Sequence, residues 1–483
     1  MSYGELSNTQ ETMVLPMLQM KNIRGKPYIT VSAKGIANGL SNIPNDGADF
    51  GPDTTKGATA PGQYGSPYTQ TSGIQEAINT ETSSSGDKIL IRNGLYIISQ
   101  PVTVISDNSI SLIGETKPVA SISDVSEKGN GVIIQPSSSF PLTTNGNPSF
   151  MFSVYSPAVN AQSIQWDNIL LYGNNMNIGA FSTNPPSGYN YPATVNFGYF
   201  GAMYFAYTGN DIFIQTDGGP SLIEDLQFDR SDGPMYISGD IVIIHLELFE
   251  NTVEYSVQYV SGNVYIANIY AIVTSGNSVF QSINASSTLS IGFLYVTSNN
   301  IAVTSSYIFL QLDGQVSVDT ILMIAAPGLA VASGGNSNGA IYVKLLSISL
   351  YADSTVDMFV GFTSEVPVVI DSLYIALNGY TFTMFSAPTD FTLIKHIYPA
   401  QAPSTPSVPS SGTAQGNTNP YAVEVYVYGG AVTEIQITRN GIAETVLSVS
   451  TAIQMTGQGY KLNPGDSITP YYTTAPSWNW LSD

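Results

Sequence analysis

Four carboxylates near the middle of the chain could carry acid–base chemistry. Glycoside hydrolases use two carboxyl groups, which lie close together when a covalent intermediate forms and farther apart when water attacks directly. An aspartate at a corner of the chain has a structural alternative, because it also bonds nearby backbone groups. The candidate catalytic residues, should the protein be an enzyme, are Glu224, Asp225, Asp229 and Glu247.

Aromatic side chains form a second set with a possible binding role. Planar rings stack on the faces of sugars, and their hydroxyl groups bond the edges. One group lies in an aromatic stretch over 173–220, and the other lies near the C-terminus. For both groups the structural alternative is burial in a core. The candidate glycan-binding residues are Tyr189, Tyr191, Tyr199, Phe200, Tyr204, Tyr207, Trp478 and Trp480.

The composition excludes several classes of site and partner. The chain has 14 Lys and Arg against 35 Asp and Glu, a formal net charge of −21. This argues against a nucleic-acid partner, because phosphate binding needs basic side chains. The absence of cysteine excludes disulfides and thiolate sites, and two histidines leave little for a His-based metal site. We therefore expect neither a metal nor a cofactor.

One apolar pattern occurs eight times between residues 164 and 375. Counted from a central residue, apolar side chains occupy positions −4, −2, +1 and +3, with Ser221 as the one exception. After a first long gap the centres recur roughly every 20–27 residues, an interval typical of solenoid repeats. The centres are Asn168, Asp225, His245, Asn268, Phe293, Thr320, Leu345 and Ser372.

This pattern predicts a stacked all-β architecture. Side chains alternate between the faces of a strand, so a period of two that breaks phase once indicates two strands joined at a sharp corner. Repetition of the unit predicts a parallel solenoid whose segments stack about 4.8 Å apart. Equivalent residues then form columns. The first polar centres are predicted to form a ladder that bonds backbone groups: Asn168, Asp225, His245 and Asn268.

The N-terminal sequence lacks the features of a targeting segment. It has neither a basic start nor a continuous apolar core, so no secretory signal is predicted. No apolar run reaches the roughly 18 residues of a membrane span. A protein with a low-charge surface and no export signal is expected to assemble inside a cell before release, as a virion component does. The alternative is a mature form whose signal has been removed.

Three motifs near the N-terminus resemble a known family. They are NDGADFGPDTT (45–55), GIQEAIN (73–79) and GDKILIRNGLYII (86–98), which together look like the opening of pectin-lyase-like right-handed parallel β-helices of the viral tailspike type. The stretch over 31–54 is similar to spike proteins of viruses that infect thermoacidophilic archaea. The C-terminal segment over 421–483 resembles the small β-domains that end viral tail proteins.

The resemblance implies a homotrimeric spike or tail fibre on the virion surface. Such a protein attaches to glycans or glycoproteins of the host surface and contacts other virion proteins. One alternative is a tailspike that also hydrolyses the glycan, and another is a cellular adhesin or S-layer component. The polygalacturonase motifs Asn-Thr-Asp, Asp-Asp, Gly-His-Gly and Arg-Ile-Lys are absent from this sequence. Their absence favours attachment over catalysis.

The expected organisation has four parts. Residues 1–30 attach the protein to the particle. Residues 31–398 form the right-handed parallel β-helix, which includes the aromatic stretch as an excursion and a short capping helix at 73–79. The Pro/Ser-rich residues 399–420 form a linker. Residues 421–483, in which apolar residues alternate between turns, form a small antiparallel β-sandwich.

Overall fold

The chain divides into two compact units, residues 1–227 and 228–483, and each is described by itself. The computed structural model describes residues 28–36, 47–81, 88–105, 110–118, 131–143, 149–156, 163–184, 191–192, 194–206, 211–216, 220–249, 255–273, 278–298, 306–325, 329–333, 339–350, 357–360, 368–376, 383–385, 392–398, 405–419, 422–439 and 441–482.

The described elements of the first unit are one helix and a series of strands. In chain order they are β1 (Tyr28–Val31), α1 (Ile74–Glu81), β2 (Lys88–Ile91), β3 (Gly94–Ile98), β4 (Val102–Ile105), β5 (Ile110–Gly114), β6 (Val132–Pro136), β7 (Phe150–Ser156), β8 (Ser163–Asp167), β9 (Ile169–Met176), β10 (Gly179–Ser182), β11 (Tyr191–Pro192), β12 (Thr194–Phe205), β13 (Ile212–Gln215) and β14 (Ser221–Asp229), the last of which ends just inside the second unit.

Parallel pairing holds the first unit together. One series runs β1-β2-β5-β8-β12, a second runs β3-β6-β9-β12, and a third runs β4-β7-β10-β13. Strands β8 and β9 meet at Asn168, whose φ of 59° makes the predicted sharp corner. The approach there is close, because a Cβ on Gly114 would lie 2.2 Å from the Asn168 carbonyl oxygen.

Helix α1 is the predicted helix near the N-terminus. It begins at Ile74, where the Thr71 hydroxyl accepts the N–H of Gln75 at 3.2 Å. Hydroxyl acceptors of this kind satisfy the N–H groups that a first helical turn leaves open. The helix buries Ile74, Ala77 and Ile78 and contacts β1, β2 and β4. The capping helix is therefore confirmed.

The first unit has an aromatic core centred on Trp166. This side chain is fully buried. Its ring lies between 4.8 and 6.4 Å from the rings of Phe152, Phe181, Phe197 and Phe200. Several of the pairs are edge-to-face, which is a favoured geometry for aromatic rings.

Part of the expected aromatic excursion is a regular rung, which is our term for one strand-length layer of the stack. Positions −4, −2, +1 and +3 about Tyr199 pair in register with the same positions about Asn168. The prediction that residues 173–220 are an excursion is therefore wrong for this strand. The apolar pattern continues there with bulkier residues, at an interval from the preceding rung that differs from the interval of the later rungs. All four inward residues are buried: Val195, Phe197, Phe200 and Ala202.

The described elements of the second unit are strands. They are β15 (Met235–Ser238), β16 (Ile241–Phe249), β17 (Tyr255–Ser261), β18 (Asn263–Val273), β19 (Ser278–Ile283), β20 (Thr288–Ser298), β21 (Ser306–Leu312), β22 (Gln315–Ala325), β23 (Leu329–Ser333), β24 (Ala340–Leu350), β25 (Asp357–Val360), β26 (Val368–Ala376), β27 (Thr383–Phe385), β28 (Thr392–Tyr398), β29 (Gln415–Gly416), β30 (Val423–Arg439), β31 (Ile442–Leu462), β32 (Ser467–Thr474) and β33 (Ser477–Ser482).

Consecutive strands of the second unit alternate between two parallel sheets as far as β28. The long sheet has the order β16-β18-β20-β22-β24-β26-β28, and the facing sheet has the order β15-β17-β19-β21-β23-β25-β27. Each turn of the chain therefore gives one strand to each sheet. This is the coil of a right-handed parallel β-helix, and the predicted fold class is confirmed.

The predicted register of the long sheet is confirmed residue by residue. The centres His245, Asn268, Phe293, Thr320 and Leu345 pair in succession. The apolar residues at −4, −2, +1 and +3 of these rungs are all buried. In-register stacking of this kind places equivalent side chains in columns along the sheet.

The corners predicted in these rungs are continuous strands with a local break. Ile243 and Leu246 both face inward, while the two residues between them are exposed or half-buried. Position −1 is also missing from the paired register of each rung, as at Ile244 and Ala267. Because two successive residues point outward, the next residue faces inward again without a turn in the chain. The predicted sharp corner is therefore wrong in these rungs.

The C-terminal strands form one antiparallel sheet with the order β29-β32-β30-β31, and β33 also pairs with β30. Strand β30 pairs with β33 along its first half and with β32 along its second. The register shifts around Gly429 and Gly430, which both have positive φ. Apolar residues from both halves form one cluster that includes Val425, Ile435 and Trp480. The predicted antiparallel domain is confirmed. It consists of a single sheet whose two halves enclose the cluster.

Most of the expected linker over 399–420 is fastened to this sheet. Trp478 Nε1 donates to the Pro406 carbonyl oxygen at 2.7 Å, and the Tyr472 hydroxyl donates to the Pro409 carbonyl oxygen at 2.7 Å. The linker prediction is therefore wrong for residues 405–419. Proline carbonyls remain good acceptors although proline has no N–H to donate.

Among the described residues, no helix is long and apolar enough to cross a membrane.

Replacing Trp166 with alanine tests the aromatic core. Removal of a large buried aromatic side chain costs about 3–5 kcal/mol, because the cavity refills only in part. We expect Trp166→Ala to lower the free energy of unfolding by that amount in chemical denaturation followed by circular dichroism. Leu142→Ala, at an exposed position, is the matched control and should change it by less than about 0.5 kcal/mol. Equal effects of the two substitutions would contradict the assignment.

Candidate functional site

The candidate catalytic carboxylates lie on both sides of the division between the units. In the first unit Glu224 is exposed and Asp225 is half-buried. In the second unit Asp229 is fully buried and Glu247 is half-buried. A carboxyl group with no exposed surface cannot touch a polymer in solution. Asp229 is therefore removed from the candidate catalytic set.

A cluster of polar groups surrounds Asp225 in the first unit. Lys117 forms an ion pair with Asp225 and lies 4.6 Å from the centre of the Tyr199 ring. The Tyr199 hydroxyl donates to Gln227 Oε1 at 2.9 Å, and its backbone N–H donates to Asp167 Oδ1 at 2.8 Å. These five residues are called the corner cluster below. A lysine bonded in this way engages the carboxylate that a hydrolase would need free.

Asp167 is the perturbed acid of the corner cluster. Burial raises the pKa of its carboxyl group above the ordinary value of 3.8, and the charge of Asp225 adds to the rise. Backbone N–H groups and Lys117 oppose it. Gly198 leaves room for this carboxyl group, because a Cβ there would lie 2.2 Å from Asp167 Oδ1. The cluster thus joins two carboxyl groups to one ammonium group.

The predicted polar ladder is confirmed only at its asparagines. Asn168 Nδ2 donates to the Gly114 carbonyl oxygen at 3.4 Å, and Asn268 Nδ2 donates to the Ile244 carbonyl oxygen at 3.2 Å. Ile244 occupies position −1, where the sheet register is interrupted. The Asn268 amide therefore satisfies a carbonyl at that break. Asp225 binds Lys117 instead, and His245 Nε2 lies 3.0 Å from an oxygen of Glu247 in its own strand.

Two of the candidate glycan-binding aromatics of the first unit are buried. Tyr199 is 3% exposed and Phe200 is fully buried, because both belong to the rung at β12. Tyr191 and Tyr204 lie in strands β11 and β12. Tyr189 and Tyr207 lie outside the described residues. Burial therefore excludes Tyr199 and Phe200 as sugar-stacking rings.

Trp478 and Trp480 are also core residues. Their rings pack edge-to-face at 5.9 Å inside the C-terminal cluster, and 5% and 2% of their surfaces are exposed. The alternation that places both on one face of β33 also turns both toward the core. A glycan contact by these two side chains is excluded in this structure.

Exposed tyrosines lie instead on the outer face of the long sheet in the second unit. Position −3 of four successive rungs holds Tyr265, Ser290, Ser317 and Tyr342, paired in register. The tyrosines are 44% and 38% exposed, and the two serines between them are short. Ser290, Ser317 and Tyr342 line a shallow open groove of about 250 Å³, and Tyr265 pairs with Ser290 in the neighbouring rung. We call these four residues the tyrosine notch.

A second aromatic group lies on the same face, on the far side of the rung centres. Tyr270 is 39% exposed, and its ring lies 6.1 Å from Phe293, 5.8 Å from Tyr295 and 5.4 Å from His245. Glu247 adds a carboxylate beside His245. These rings and the carboxylate combine flat apolar faces with a hydrogen-bond acceptor. We call the five residues the aromatic ladder.

Charged groups border the tyrosine notch. The Tyr342 hydroxyl donates to Asp371, and Lys395 Nζ lies 2.5 Å from the other oxygen of that carboxylate. The Lys395 ammonium and the Tyr342 hydroxyl hold the pKa of Asp371 below its ordinary value. In the described part of the chain, no three His, Asp or Glu side chains come together as a metal site requires.

The sequence contained a signal for this surface. Tyr265 and Tyr342 occupy position −3 of the repeating pattern, and Tyr270 and Tyr295 occupy position +2. Both are outward positions in every rung. Selection of the outward positions would have found them, whereas selection by aromatic density included Tyr199 and Phe200, which are buried in β12.

No family model matches the sequence, and no curated protein matches it. Among solved structures, the chain is similar to the enzymatically active domain of tailspike protein 4 of bacteriophage CBA120, with a TM-score of 0.35 and 11% sequence identity. The match covers 87% of this chain and 66% of that chain, just under two thirds of its length. The parallel β-helix is established by the strand pairing itself.

Replacing Asp167 with asparagine tests the corner cluster. A carboxyl group with a raised pKa favours its protonated form in the folded state. Its contribution to stability is fully present below pH 3.8 and is lost as the pH rises through the folded-state pKa. Asparagine stays uncharged and can still accept the Tyr199 N–H. We expect Asp167→Asn to melt at a higher temperature than the wild type at pH 7 and at the same temperature at pH 3.

The control for this experiment is Asp319→Asn, at an exposed position of the long sheet. It should leave the melting temperature unchanged at pH 7. A lower melting temperature of Asp167→Asn at pH 7 would contradict the role assigned to burial.

Proposed function

We propose that this protein attaches a virus particle to glycans on the surface of its host cell. The tyrosine notch and the aromatic ladder support the proposal most directly. They place exposed rings, hydroxyl groups and a carboxylate on one rigid face. Sugars present apolar C–H faces and polar edges, and this combination of groups binds both.

The spacing of the notch suits an extended ligand. Tyr265 and Tyr342 lie three rungs apart, or about 14 Å at the usual strand separation. Ser290 and Ser317 line the floor between them and offer hydroxyl groups. Because hydrogen bonds fix every rung to the next, the backbone positions that carry the rings are fixed before a ligand arrives. Preorganisation of this kind lowers the entropic cost of binding.

The remaining parts of the proposal follow from the sequence. The net charge of −21 and the low content of charged residues suit a particle surface outside a cell. Residues 1–30 join the protein to other virion proteins. The family resemblance favours a homotrimer and a virus of thermoacidophilic archaea. A cellular adhesin with the same surface is the alternative that particle purification would distinguish.

A glycan hydrolase is the second candidate function. Glu224, Asp225 and Glu247 remain exposed or half-buried. The ion pair of Asp225 with Lys117 disfavours the role, because that carboxylate is already engaged. Attachment is therefore the function that the geometry supports best.

Glycan binding by the full-length protein tests the proposal. An array of defined oligosaccharides identifies a binder, and calorimetry then gives its dissociation constant. Tyr270→Ala and Tyr342→Ala are each expected to weaken binding about fivefold or more, since a lost ring contact costs about 1 kcal/mol. Tyr64→Ala removes a ring that is 60% exposed in the first unit and should leave binding unchanged.

Two outcomes would overturn this assignment. One is the absence of binding to any array member, and the other is an equal effect of all three substitutions. Release of shorter oligosaccharides, detected by mass spectrometry and abolished by Glu247→Gln or Asp225→Asn, would favour the hydrolase instead.

A further inference from the structure

The groove at the tyrosine notch is lined by uncharged residues. Among them, Thr288, Ser290, Ser317 and Tyr342 carry hydroxyl groups, and Gln315 carries an amide. The other described lining residues are apolar. A charged group that enters such a groove gives up part of its water without gaining an ionic partner, which is unfavourable. The hydroxyl groups of an uncharged sugar can instead bond to side chains of this kind.

Charged side chains border the groove in the outward column at position −1. In the rungs of β16, β18 and β20 this column is uncharged, with Ile244, Ala267 and Gly292. The next four rungs each contribute one charged residue, in the order Asp319, Lys344, Asp371 and Lys395. Asp371 is half-buried and the other three are exposed. We call these four residues the charge column, and their signs alternate from rung to rung.

The charge column is close enough to the notch to act on a ligand there. Asp319 and Lys344 each follow a notch residue by two positions on the same face, which separates their backbone positions by about 7 Å. That distance is shorter than the screening length of roughly 8 Å at physiological ionic strength. The Tyr342 hydroxyl already responds to these charges. Its hydrogen bond to Asp371 raises its pKa above the ordinary value of 10.0, Lys395 opposes the rise and Asp319 adds to it.

Alternation of sign leaves a charged polymer no stretch of opposite charge to follow. Lys344 has Asp319 on the rung before it and Asp371 on the rung after it, each about 4.8 Å away. An anionic group that approached Lys344 would therefore come near two carboxylates. A cationic group that approached Asp371 would come near Lys344 and Lys395, and Lys395 already pairs with that carboxylate. Like charges brought together at an interface strongly disfavour binding.

We propose that the tyrosine notch selects a glycan whose sugars are uncharged, and that the charge column rejects counterparts carrying carboxylate, sulfate or ammonium groups. The inference rests on the proposed function, because it names the class of glycan that the same site takes. The uncharged lining of the groove and the alternating column support it independently. The net charge of −21 adds a longer-range repulsion of polyanions. Specificity commonly combines contacts to one ligand with repulsion of its competitors.

Matched oligosaccharides test the proposal on the full-length protein. Each set consists of a neutral hexose oligomer and the uronic acid and amino-sugar oligomers of the same configuration and length, taken from the glucose, galactose and mannose series. Calorimetry gives the dissociation constant of each. We expect the neutral member to bind at least about tenfold more tightly than either charged member. Its affinity should change less than about twofold between roughly 0.05 and 0.5 M salt, because its binding forms no ion pair.

Reversal of one charge tests the column itself. Asp319→Lys removes one of the two carboxylates beside Lys344 and adds an ammonium group. We expect the preference for the neutral oligomer over the uronic acid oligomer to fall about tenfold relative to the wild type. Glu444→Lys makes the same change of charge at an exposed position of the C-terminal sheet and should leave the preference as it is. An unaltered preference in Asp319→Lys, or an equal change in both variants, would contradict the role of the column.

The outcomes separate this inference from the proposed function. Tighter binding of a uronic acid or amino-sugar oligomer, weakened by Tyr342→Ala, would overturn the choice of an uncharged ligand and leave attachment standing. Strong salt dependence of the neutral oligomer would also overturn that choice. Absence of binding to every oligosaccharide would overturn both proposals together.

Discussion

In-register parallel hydrogen bonding between successive rungs is the constraint on which the rest of this structure depends. It fixes the partner of each residue, so that position −2 always meets position −2 and position +1 always meets position +1. A shift by one residue would turn every apolar side chain outward. The apolar columns therefore hold the register, and the register in turn keeps each column continuous.

The same constraint turns the outer face into an ordered display. A column of outward residues is a row at fixed spacing, so the sizes of successive side chains set the surface relief. Short residues at Ser290 and Ser317 beside the large Tyr342 leave a groove without any loop to shape it. A binding surface of this kind changes by substitution at outward positions while the core stays intact.

The C-terminal sheet follows a different rule. Its strands are antiparallel, and among the described strands β29 and β31 stand at the two ends of the order. The cluster around Val425 and Trp480 stabilises one part of the sheet, whereas residues 442–454 of β31 are exposed or half-buried, with Leu447 packed against the cluster. Within each parallel series, the backbone N–H and C=O groups of one rung bond to those of the next. The end strands of a small antiparallel sheet present such groups on their outer side unless a neighbour covers them.

The sequence alone determined the parallel stack, its register and the inward residues, because a repeated apolar pattern admits one alignment that buries all of it. It also determined the capping helix and the antiparallel C-terminal domain. Only the tertiary structure decided the side-chain environments at the candidate sites. Tyr199, Phe200, Trp478 and Trp480 became core residues, and Asp225 became the partner of Lys117. Composition reports how many rings and carboxylates a segment holds. Whether each one reaches solvent depends on rungs that lie far away in the chain and only 4.8 Å or so away in space.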